Sequence, residues 1–428
     1  MVFGCGSSKI SRSVSIIHRV AAGAGGWAPS CPNTLAMPRL LLYANVGLFC
    51  DGYILSSVGL ALVTLQPRFA MSPAMTGLLG AATLVGILIG APLFGHITDR
   101  YGRRVLMIAD LACFVVISLV QIFASNAWEL VVLRFALGLA IGADYPIAGA
   151  LIAESVPARV RGAAVNSMQV AWFLGAAVAY VAGYALLATG PQSWKWILAS
   201  PALFATIGLL LRASAPESPL WLAARAAGEV RAASFVTIFR TPFRGALAFV
   251  SAMWLLQVVP LFAIYTFAPS VLGALGLSGA SSPAGSVAIT AAFLAGSLLS
   301  LPLVERWGRR PLCIAGFAIA VVAFALLLAG NVAIVVISFV AYAVGIGAAA
   351  GLELTYPAEL FPTSIRATAT GFAAGVSRIG AFVGTFALPS LLARFGITSI
   401  VAGALILSLC GLGIAWRWAP ETKGVSLT

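Results

Sequence analysis

Apolar residues occur in long, uninterrupted stretches that are separated by short polar segments. A helix of about 20 apolar residues crosses the hydrocarbon core of a bilayer. The pattern therefore predicts twelve membrane-spanning helices, which we number as spans 1 to 12. Their predicted ranges are 39–64, 75–97, 105–124, 129–152, 163–188, 193–212, 244–271, 284–304, 312–330, 332–358, 367–395 and 398–417. Because the stretches do not alternate with period two, the pattern excludes an outer-membrane barrel.

One long polar connection divides the twelve spans into two groups of six. The predicted fold is an all-α membrane protein of two pseudo-symmetric six-helix bundles. The predicted segments are an N-terminal tail at 1–38, a first bundle at 39–212, a linker at 213–243, a second bundle at 244–417 and a C-terminal tail at 418–428. Met37 is an alternative start of translation.

The composition supports a membrane protein. Apolar residues make up 61% of the chain and charged residues 9%, whereas a soluble chain has about 25% charged residues. Too few polar side chains remain to cover a folded surface in water. The net charge of +13 comes from short basic clusters between spans, and this distribution predicts membrane orientation rather than nucleic-acid binding.

The distribution of lysine and arginine predicts the topology. If the N-terminus is cytoplasmic, twenty of the 25 basic residues lie on the cytoplasmic side and three, Arg68, Lys195 and Arg394, lie on the other side. The remaining two, Arg134 and Arg378, lie within spans. Under the positive-inside rule, both termini are cytoplasmic. A bacterial inner membrane is the expected location.

Three motifs occur twice at nearly the same offset, which indicates an internal duplication. The sequence DRYGRR at 99–104 returns 206 residues later as ERWGRR at 305–310. The pattern E-x-x-P-x-x-x-R at 154–161 returns at 359–366 and P-E-S at 216–218 returns as P-E-T at 420–422. Parallel repeats of this kind build one class of alternating-access transporters.

The repeated motifs resemble those of the major facilitator superfamily, in its sugar-porter-like branch. The resemblance extends over residues 40–424 and implies a charge network on the cytoplasmic side that holds the two halves together in the outward-facing state. Carboxylates and guanidiniums at helix ends suit this role because they pair strongly and separate when the halves rock. We call this network the latch. Its candidate residues are Gly95, Asp99, Arg100, Gly102, Arg103, Arg104, Glu154, Arg161, Glu217, Glu305, Arg306, Gly308, Arg309, Arg310, Glu359, Arg366 and Glu421.

Few ionisable residues lie inside the spans. A charge at the bilayer centre costs about 2.5 to 3.5 kcal/mol on insertion scales, so each such residue is a candidate for function. The candidates are Asp51, Arg134, Asp144, Glu353 and Arg378. Asp110 and Glu129 are nearer to span ends, where we expect contact with water or headgroups.

Asp51 lies in the sequence F-C-D-G-Y, which resembles the D-G-Y-D signature of aromatic-acid and related metabolite:proton symporters. Ile54 replaces the second acid of that signature. The resemblance implies that Asp51 binds a proton, with Arg134 as its predicted partner, because a neighbouring guanidinium favours proton release. The alternative is that Asp51 and Arg134 form a permanent structural ion pair.

The sequence G-A-D-Y-P at 142–146 resembles an element of phosphate:proton symporters and of bacterial inner-membrane metabolite transporters. The resemblance implies that Asp144 and Tyr145 line the substrate cavity and that Gln169 contacts substrate. Phosphate itself is disfavoured because Val258 follows Trp254 at the position where the phosphate family has an acid.

Spans 7 and 11 contain further candidates for substrate binding. Span 7 carries Trp254, Gln257 and Tyr265, for which core packing is the alternative. Arg378 resembles the span-11 arginine of organic-ion transporters, and a guanidinium in a dry cavity would bind a carboxylate bidentately. The competing interpretation pairs Arg378 with Glu353 and leaves no free charge for substrate.

Other functional classes lack support in the sequence. No phosphate-binding G-x-x-x-x-G-K-[ST] loop is present, and the two histidines, His18 and His96, lack partners for metal binding or catalysis. We therefore expect no enzyme activity, no metal and no cofactor. The predicted function is proton symport of a small organic anion, such as an aromatic acid or another carboxylate metabolite. The predicted partners are the substrate, protons and the lipid bilayer, with no nucleic acid, and the predicted state is a monomer. The alternatives are a sugar or polyol transporter and a nutrient receptor that binds without transport.

Overall fold

The computed structural model describes residues 36–228, 235–240, 242–266, 283–328 and 332–425. Within these ranges the regular structure is helical, and twelve helices are long and apolar enough to cross a membrane. The predicted number of twelve spans is therefore confirmed, and residues 267–271 of predicted span 7 and 329–330 of predicted span 9 lie outside the described residues. Most of the predicted N-terminal tail and residues 229–234 and 241 of the predicted linker lie outside the described residues.

Spans 1 to 6 form the first half of the molecule, which we call the N half. Span 3 continues into a 3₁₀ turn, Gln121–Phe123, and another turn, Ala158–Val160, precedes span 5. The helices are Ala36–Arg68, Pro73–Tyr101, Arg103–Val120, Ala127–Ser155 and Arg161–Leu187, and span 6 consists of Ser193–Ala199 and Pro201–Arg212. Span 6 is interrupted at Ser200 because Pro201 has no N–H to continue the hydrogen-bond ladder.

Spans 7 to 12 form the second half, the C half. Span 10 is made of two consecutive helices, and spans 11 and 12 are joined within one continuous element. The helices are Phe243–Thr266, Pro283–Arg306, Arg309–Leu327, Val332–Ala350, Leu352–Leu360 and Arg366–Trp418. The last one reverses at Gly396, whose φ of 73° and ψ of 175° are not helical. The two membrane spans within this element are Arg366–Leu388 and Arg394–Trp418, and Gly396 lies near the start of the second.

The connection between the halves contains a short helix, Pro219–Ala226, and a 3₁₀ turn, Phe235–Phe239. Ser218 caps this helix by accepting a hydrogen bond from the Trp221 N–H at 3.1 Å. Trp221 is buried, and its indole N–H donates to the Asp99 carbonyl oxygen at 2.8 Å. The start of the linker is therefore fixed against the end of span 2.

Small residues allow the helices to approach closely. Gly86 of span 2 faces Gly138 of span 4, and a methyl group on either glycine would collide with the backbone of the opposite span. Gly90 and Gly142 form a second such contact one turn further along. These close contacts fix the position of span 4 and of the functional residues that it carries.

Two pairs of helices form the most extensive contacts between the halves among the described residues. Span 2 of the N half packs against span 11 of the C half, and span 5 packs against span 8. The outer surface carries large exposed apolar side chains, such as Val63, Leu210 and Ile406. Such a surface is stable in hydrocarbon rather than in water.

Candidate functional site

The charged residues of the repeated motifs meet at one face of the bundle, which we call the latch side. Glu154 of span 4 forms ion pairs with Arg103 of the same half at 2.9 Å and with Arg366 of the C half at 2.8 Å. The Ser218 hydroxyl donates to the other oxygen of Glu154. All three ionic side chains are buried, so this cluster connects the two halves without contact with solvent.

Asp99 forms a second connection between the halves. Its carboxylate accepts hydrogen bonds from the backbone N–H groups of Ala367 at 3.2 Å and Thr368 at 2.7 Å, and from the Thr368 hydroxyl at 2.7 Å. These groups form the first turn of span 11, where unpaired N–H groups and the helix dipole favour an anion. An acid of the N half therefore caps a helix of the C half.

The duplicated motif builds a related cluster in the C half. Arg309 binds Glu359 at 2.7 Å and Glu305 at 2.8 Å. Glu305 also accepts from the backbone N–H of Ala163, in the first turn of span 5, at 3.1 Å. Arg161 donates to the carbonyl oxygen of Val425 at 2.7 Å. The latch is thus made of two pseudo-symmetric clusters, each of which contacts the opposite half.

The P-E-S and P-E-T motifs supply matching helix caps. Glu217 accepts from the N–H groups of Arg103 and Arg104 at 2.9 and 3.1 Å. Glu421 accepts in the same way from Arg309 and Arg310 at 3.0 and 3.2 Å. The glycine before each helix has a positive φ, 105° at Gly102 and 99° at Gly308, and a methyl group there would collide with the capping glutamate.

Some predicted latch residues lie outside these clusters. Arg100 and Arg306 are exposed and form no ion pair within the described part of the chain. Arg104 and Arg310 are also exposed, and they donate to the backbone carbonyl oxygens of Ala213, at the start of the linker, and of Trp416, in the C half. Gly95 packs against the backbone of Ala367 in span 11. The exposed arginines thus fit the role of topology signals better than that of latch residues.

The predicted pair of Asp51 and Arg134 is absent from this structure, and that prediction is corrected. Arg134 donates from both terminal nitrogens to the backbone carbonyl oxygen of Ile54, at 3.2 Å each. Asp51 is fully buried, and neither of its carboxylate oxygens has a hydrogen-bond donor. The pair does not form because the Arg134 guanidinium donates instead to the backbone carbonyl oxygen of Ile54, the residue that replaces the second acid of the signature.

A buried ion cluster that the sequence did not predict lies in the N half. Arg212, at the end of span 6, binds Asp144 at 2.8 Å and Asp110 at 3.1 Å. All three side chains are buried. Asp144 is therefore paired with an arginine of its own half rather than exposed to a cavity. Asp110 was predicted to contact water or headgroups, but it is buried. Glu129, by contrast, is exposed as predicted and accepts from Ser125 near the start of span 4.

Arg378 of span 11 lies between aromatic rings where the two halves meet. Its guanidinium carbon is 5.1 Å from the ring centroid of Tyr145 and 5.3 Å from that of Phe262. The side chain is 2% exposed, and its Nε has no acceptor. Glu353, 7% exposed, interacts with it electrostatically but forms no ion pair within 4.0 Å, and no other ion pair of Arg378 occurs among the described residues.

Further aromatic rings pack against the two rings that flank Arg378. The Trp254 ring meets the Tyr145 ring edge-on at 6.2 Å, and the Trp172 ring meets that of Phe262 at 6.3 Å. Gln257 is buried and its amide nitrogen has no partner. The sequence analysis did not predict a role for Phe262, although this residue lies in the same aromatic-rich part of span 7 as Trp254.

Two predicted substrate residues are not placed at this centre. Gln169 of span 5 is buried, but none of the contacts described above links it to Arg378. Tyr265 lies at the end of span 7, and its side chain is outside the described residues. Among the described residues, no group of three or more metal-ligating side chains occurs.

The sequence matches the family described as "Sugar (and other) transporter" over residues 56–242 and 236–428. YaaU of Escherichia coli (strain K12), whose name assigns it to metabolite transport, is 38% identical over 413 residues, which cover 91% of this chain and 93% of YaaU. The inner membrane metabolite transport protein YgcS of the same strain is 33% identical over 402 residues, which cover 88% of this chain and 90% of YgcS.

The fold is that of a solved transporter. The proton:xylose symporter XylE, a major facilitator superfamily protein, shares the fold with a TM-score of 0.81 and 22% sequence identity, over 92% of this chain and 98% of XylE. The predicted major facilitator fold is therefore confirmed. The family match and the 38% identity to YaaU show that the chain belongs to the sugar (and other) transporter family, whose members are transporters rather than enzymes, and the chain has the major facilitator fold.

Proposed function

We propose that this transporter takes up a small organic anion together with protons by alternating access, in a bacterial inner membrane. The latch side is then cytoplasmic, as are both termini, because the basic loops lie there. The name of YgcS supports an inner membrane, and that of XylE supports proton coupling. We keep the division into two bundles at 39–212 and 244–417, the linker and the two tails as part of this proposal.

The proposal of an anionic substrate depends on Arg378, which is buried and has no ion pair among the described residues. A buried guanidinium is costly unless it is paired, and here the aromatic faces of Tyr145 and Phe262 provide only cation–π stabilisation. A carboxylate between the halves would supply the missing charge and acceptor in bidentate geometry. Aromatic rings beside the guanidinium favour a substrate with a flat apolar body, such as an aromatic acid.

The absence of an ion pair between Glu353 and Arg378 also supports an anionic substrate. An ion pair between them would leave no charge for substrate, and the structure contains no such pair within 4.0 Å. Asp144, for which we predicted a place in the cavity, is bound to Arg212. The substrate site that we propose therefore consists of Tyr145, Trp254, Gln257, Phe262 and Arg378, with Glu353 nearby.

Asp51 is the proposed proton carrier. Its carboxyl is buried and has no hydrogen-bond donor in this state. A carboxyl that lacks a partner in one state and meets water in another can take up and release a proton as the halves rock. The halves must separate on the latch side before Asp51 can exchange a proton with water there.

A sugar or polyol is the second candidate. XylE is a symporter of the sugar xylose, and the buried amide of Gln257 is suited to hydroxyl groups. A neutral substrate needs amides and aromatic rings but no free guanidinium. The two candidates therefore differ in their dependence on Arg378.

Counterflow in proteoliposomes tests the proposal. Radiolabelled benzoate, succinate, xylose and glucose serve as probes for wild type, Arg378→Gln and a control, Arg68→Gln, which removes an exposed arginine outside the site. We expect exchange of an acid, abolished in Arg378→Gln and retained in Arg68→Gln. Exchange of a sugar that survives in Arg378→Gln would establish the second candidate. Saturable binding of a probe without exchange would identify a receptor.

A further inference from the structure

A chain of buried, uncharged polar side chains joins the two halves deeper in the bundle than the latch. Asn166 of span 5 donates from its amide nitrogen to the Ser300 hydroxyl of span 8 at 3.2 Å. Its amide oxygen accepts from the Thr355 hydroxyl of span 10 at 2.8 Å. All three side chains are buried. An asparagine of the N half is therefore held by two hydroxyl groups of the C half, and we call this contact the polar bridge.

The hydrogen bonds of the polar bridge all run in one direction. The Ser300 hydroxyl donates its single proton to the carbonyl oxygen of Ser297 at 2.7 Å, so towards Asn166 it acts as an acceptor. The amide nitrogen of Asn166 therefore faces Ser300, and its oxygen faces the hydroxyl of Thr355. Because each group is used once as donor and once as acceptor, the closed state leaves no polar atom of Asn166 unpaired.

The polar bridge lies between the proposed substrate site and the latch. The second helix of span 10, Leu352–Leu360, carries Glu353 near its start and Glu359 near its end. Glu353 lies near the substrate site, and Glu359 belongs to the latch. Thr355 is two residues after Glu353 and one helical turn before Glu359. The N half thus holds this helix at a point between the two sites.

The C half can keep its hydrogen bonds when Asn166 moves away. The Thr355 hydroxyl also lies 3.0 Å from the carbonyl oxygen of Gly351, one turn earlier, but its single proton serves one acceptor at a time. Ser300 keeps its bond to Ser297 in either case. When the halves separate on the latch side, the Asn166 amide meets water in the opened cavity. The polar bridge therefore favours the closed state, and its loss leaves no buried group unpaired.

We propose that Asn166 is a positioning residue for alternating access, which holds the second helix of span 10 against the N half until the latch side opens. The inference rests on the proposed alternating access but not on the choice of substrate. In the open state Thr355 donates to the carbonyl oxygen of Gly351 instead of to Asn166. The exchange of partners consumes no proton, ion or substrate.

The test measures how often the latch side opens. In the full-length reference protein the six cysteines are replaced by alanine, and Thr370→Cys places one thiol at a buried position of span 11, one turn after Arg366. In lipid nanodiscs, the rate of reaction with a water-soluble maleimide follows the fraction of open molecules when opening is fast. We expect Asn166→Ala to raise this rate about threefold to tenfold, as for the loss of one neutral hydrogen bond.

Three further variants separate the polar bridge from a general loss of stability. Thr355→Val should raise the rate in the same way, and the double variant by less than the product of the two single effects, because both remove the same bond. Thr355→Ser keeps the hydroxyl and should retain the reference rate. The matched control is Asn45→Ala, which removes a hydrogen bond of 2.9 Å to Ser167 within the N half and should also leave the rate unchanged.

An unchanged rate in folded Asn166→Ala, or an equal rise in Asn45→Ala, would overturn the inference. If Asn166→Ala does not fold, Thr355→Val is compared with Thr355→Ser: a faster rate in the valine variant alone supports the inference, and equal rates overturn it. No substrate is present in this measurement. Failure of the anion proposal would therefore appear in counterflow and leave this result standing, whereas failure here would leave the dependence of counterflow on Arg378 unaffected.

Discussion

Arg366 and Glu154 form an ion pair of 2.8 Å that joins the two halves of the transporter, and neither side chain reaches solvent. Arg103 binds the same oxygen of Glu154 from within the N half. Glu154 is thus shared by two arginines, one from each half. When the halves separate on the latch side, Arg366 must leave this acid, so the pair contributes stability only to the closed state.

Glu154→Gln should therefore open the latch side. Removing one partner of a buried ion pair costs about 3 to 5 kcal/mol, which corresponds to a shift of about a hundredfold or more in the equilibrium. Spin labels at Arg100 and Arg306, both exposed and one in each half, would report the change as a longer interlabel distance. The control Glu129→Gln should leave the distances unchanged, and an unchanged distribution in Glu154→Gln would contradict the proposed latch.

Two effects favour glycine at position 102, and two alanine variants measure them separately. Its φ of 105° disfavours any side chain, and a methyl group there collides with Glu217. Gly190 has a similar φ of 101°, but a methyl group at that position would have no atom within 4 Å among the described residues. Both Gly102→Ala and Gly190→Ala should cost about 1 to 3 kcal/mol of backbone strain.

Gly102→Ala should cost about 1 kcal/mol more, because displacement of Glu217 removes the caps on Arg103 and Arg104. Thermal unfolding in detergent, followed by tryptophan fluorescence, measures both effects. Equal losses in the two variants would show that Glu217 contributes no stability at this position.

The stacking of Arg378 on Tyr145 predicts a measurable coupling between them. Tyr145→Phe keeps the ring and should leave the interaction intact, whereas Tyr145→Leu removes it. A double-mutant cycle of Tyr145→Leu with Arg378→Gln should give a coupling of about 0.5 to 2 kcal/mol in unfolding free energy. Additive losses would mean that the ring does not hold the guanidinium.

The sequence predicted the fold and the latch because both leave local or repeated signals. Apolar stretches of bilayer length define the spans, and the duplicated motifs place Glu154 and Arg366 in corresponding repeats. The apolar stretches can be recognised within a single segment of sequence, and the latch motifs can be recognised by comparing two similar segments.

The Arg212 cluster could not be predicted in this way. Arg212 is the last residue of an apolar stretch, where the positive-inside rule already explains an arginine, and Asp110 lies close enough to a span end to suggest contact with water. Their contact depends on how spans 3, 4 and 6 converge, which no local pattern records. Gly47, one turn before the buried Asp51, is the one sequence feature that fits the cluster, because Asp144 and Arg212 approach its backbone so closely that a side chain would overlap them.

The pairing of Asp51 with Arg134 was inferred from resemblance to other transporters, and the structure shows why it failed. The related signature has an acid where this chain has Ile54, and Arg134 is bound to the backbone of that residue. In this chain Arg134 thus has a backbone acceptor in place of a carboxylate. Asp51, three residues earlier, remains without a donor.

Asp51→Asn should separate exchange from accumulation. Asparagine has nearly the shape of aspartate but cannot carry a proton, so counterflow of the transported acid should persist while uptake driven by a pH gradient is lost. With the membrane potential clamped at zero, one pH unit is worth about 1.36 kcal/mol per proton and supports about tenfold accumulation with one coupled proton, or about a hundredfold with two. Glu129→Gln should accumulate like wild type, because Glu129 is an exposed residue near the start of span 4. Accumulation by Asp51→Asn at the wild-type level would remove Asp51 as the proton carrier, and loss of counterflow as well would show that Asp51 is needed for substrate binding or for the movement of the halves.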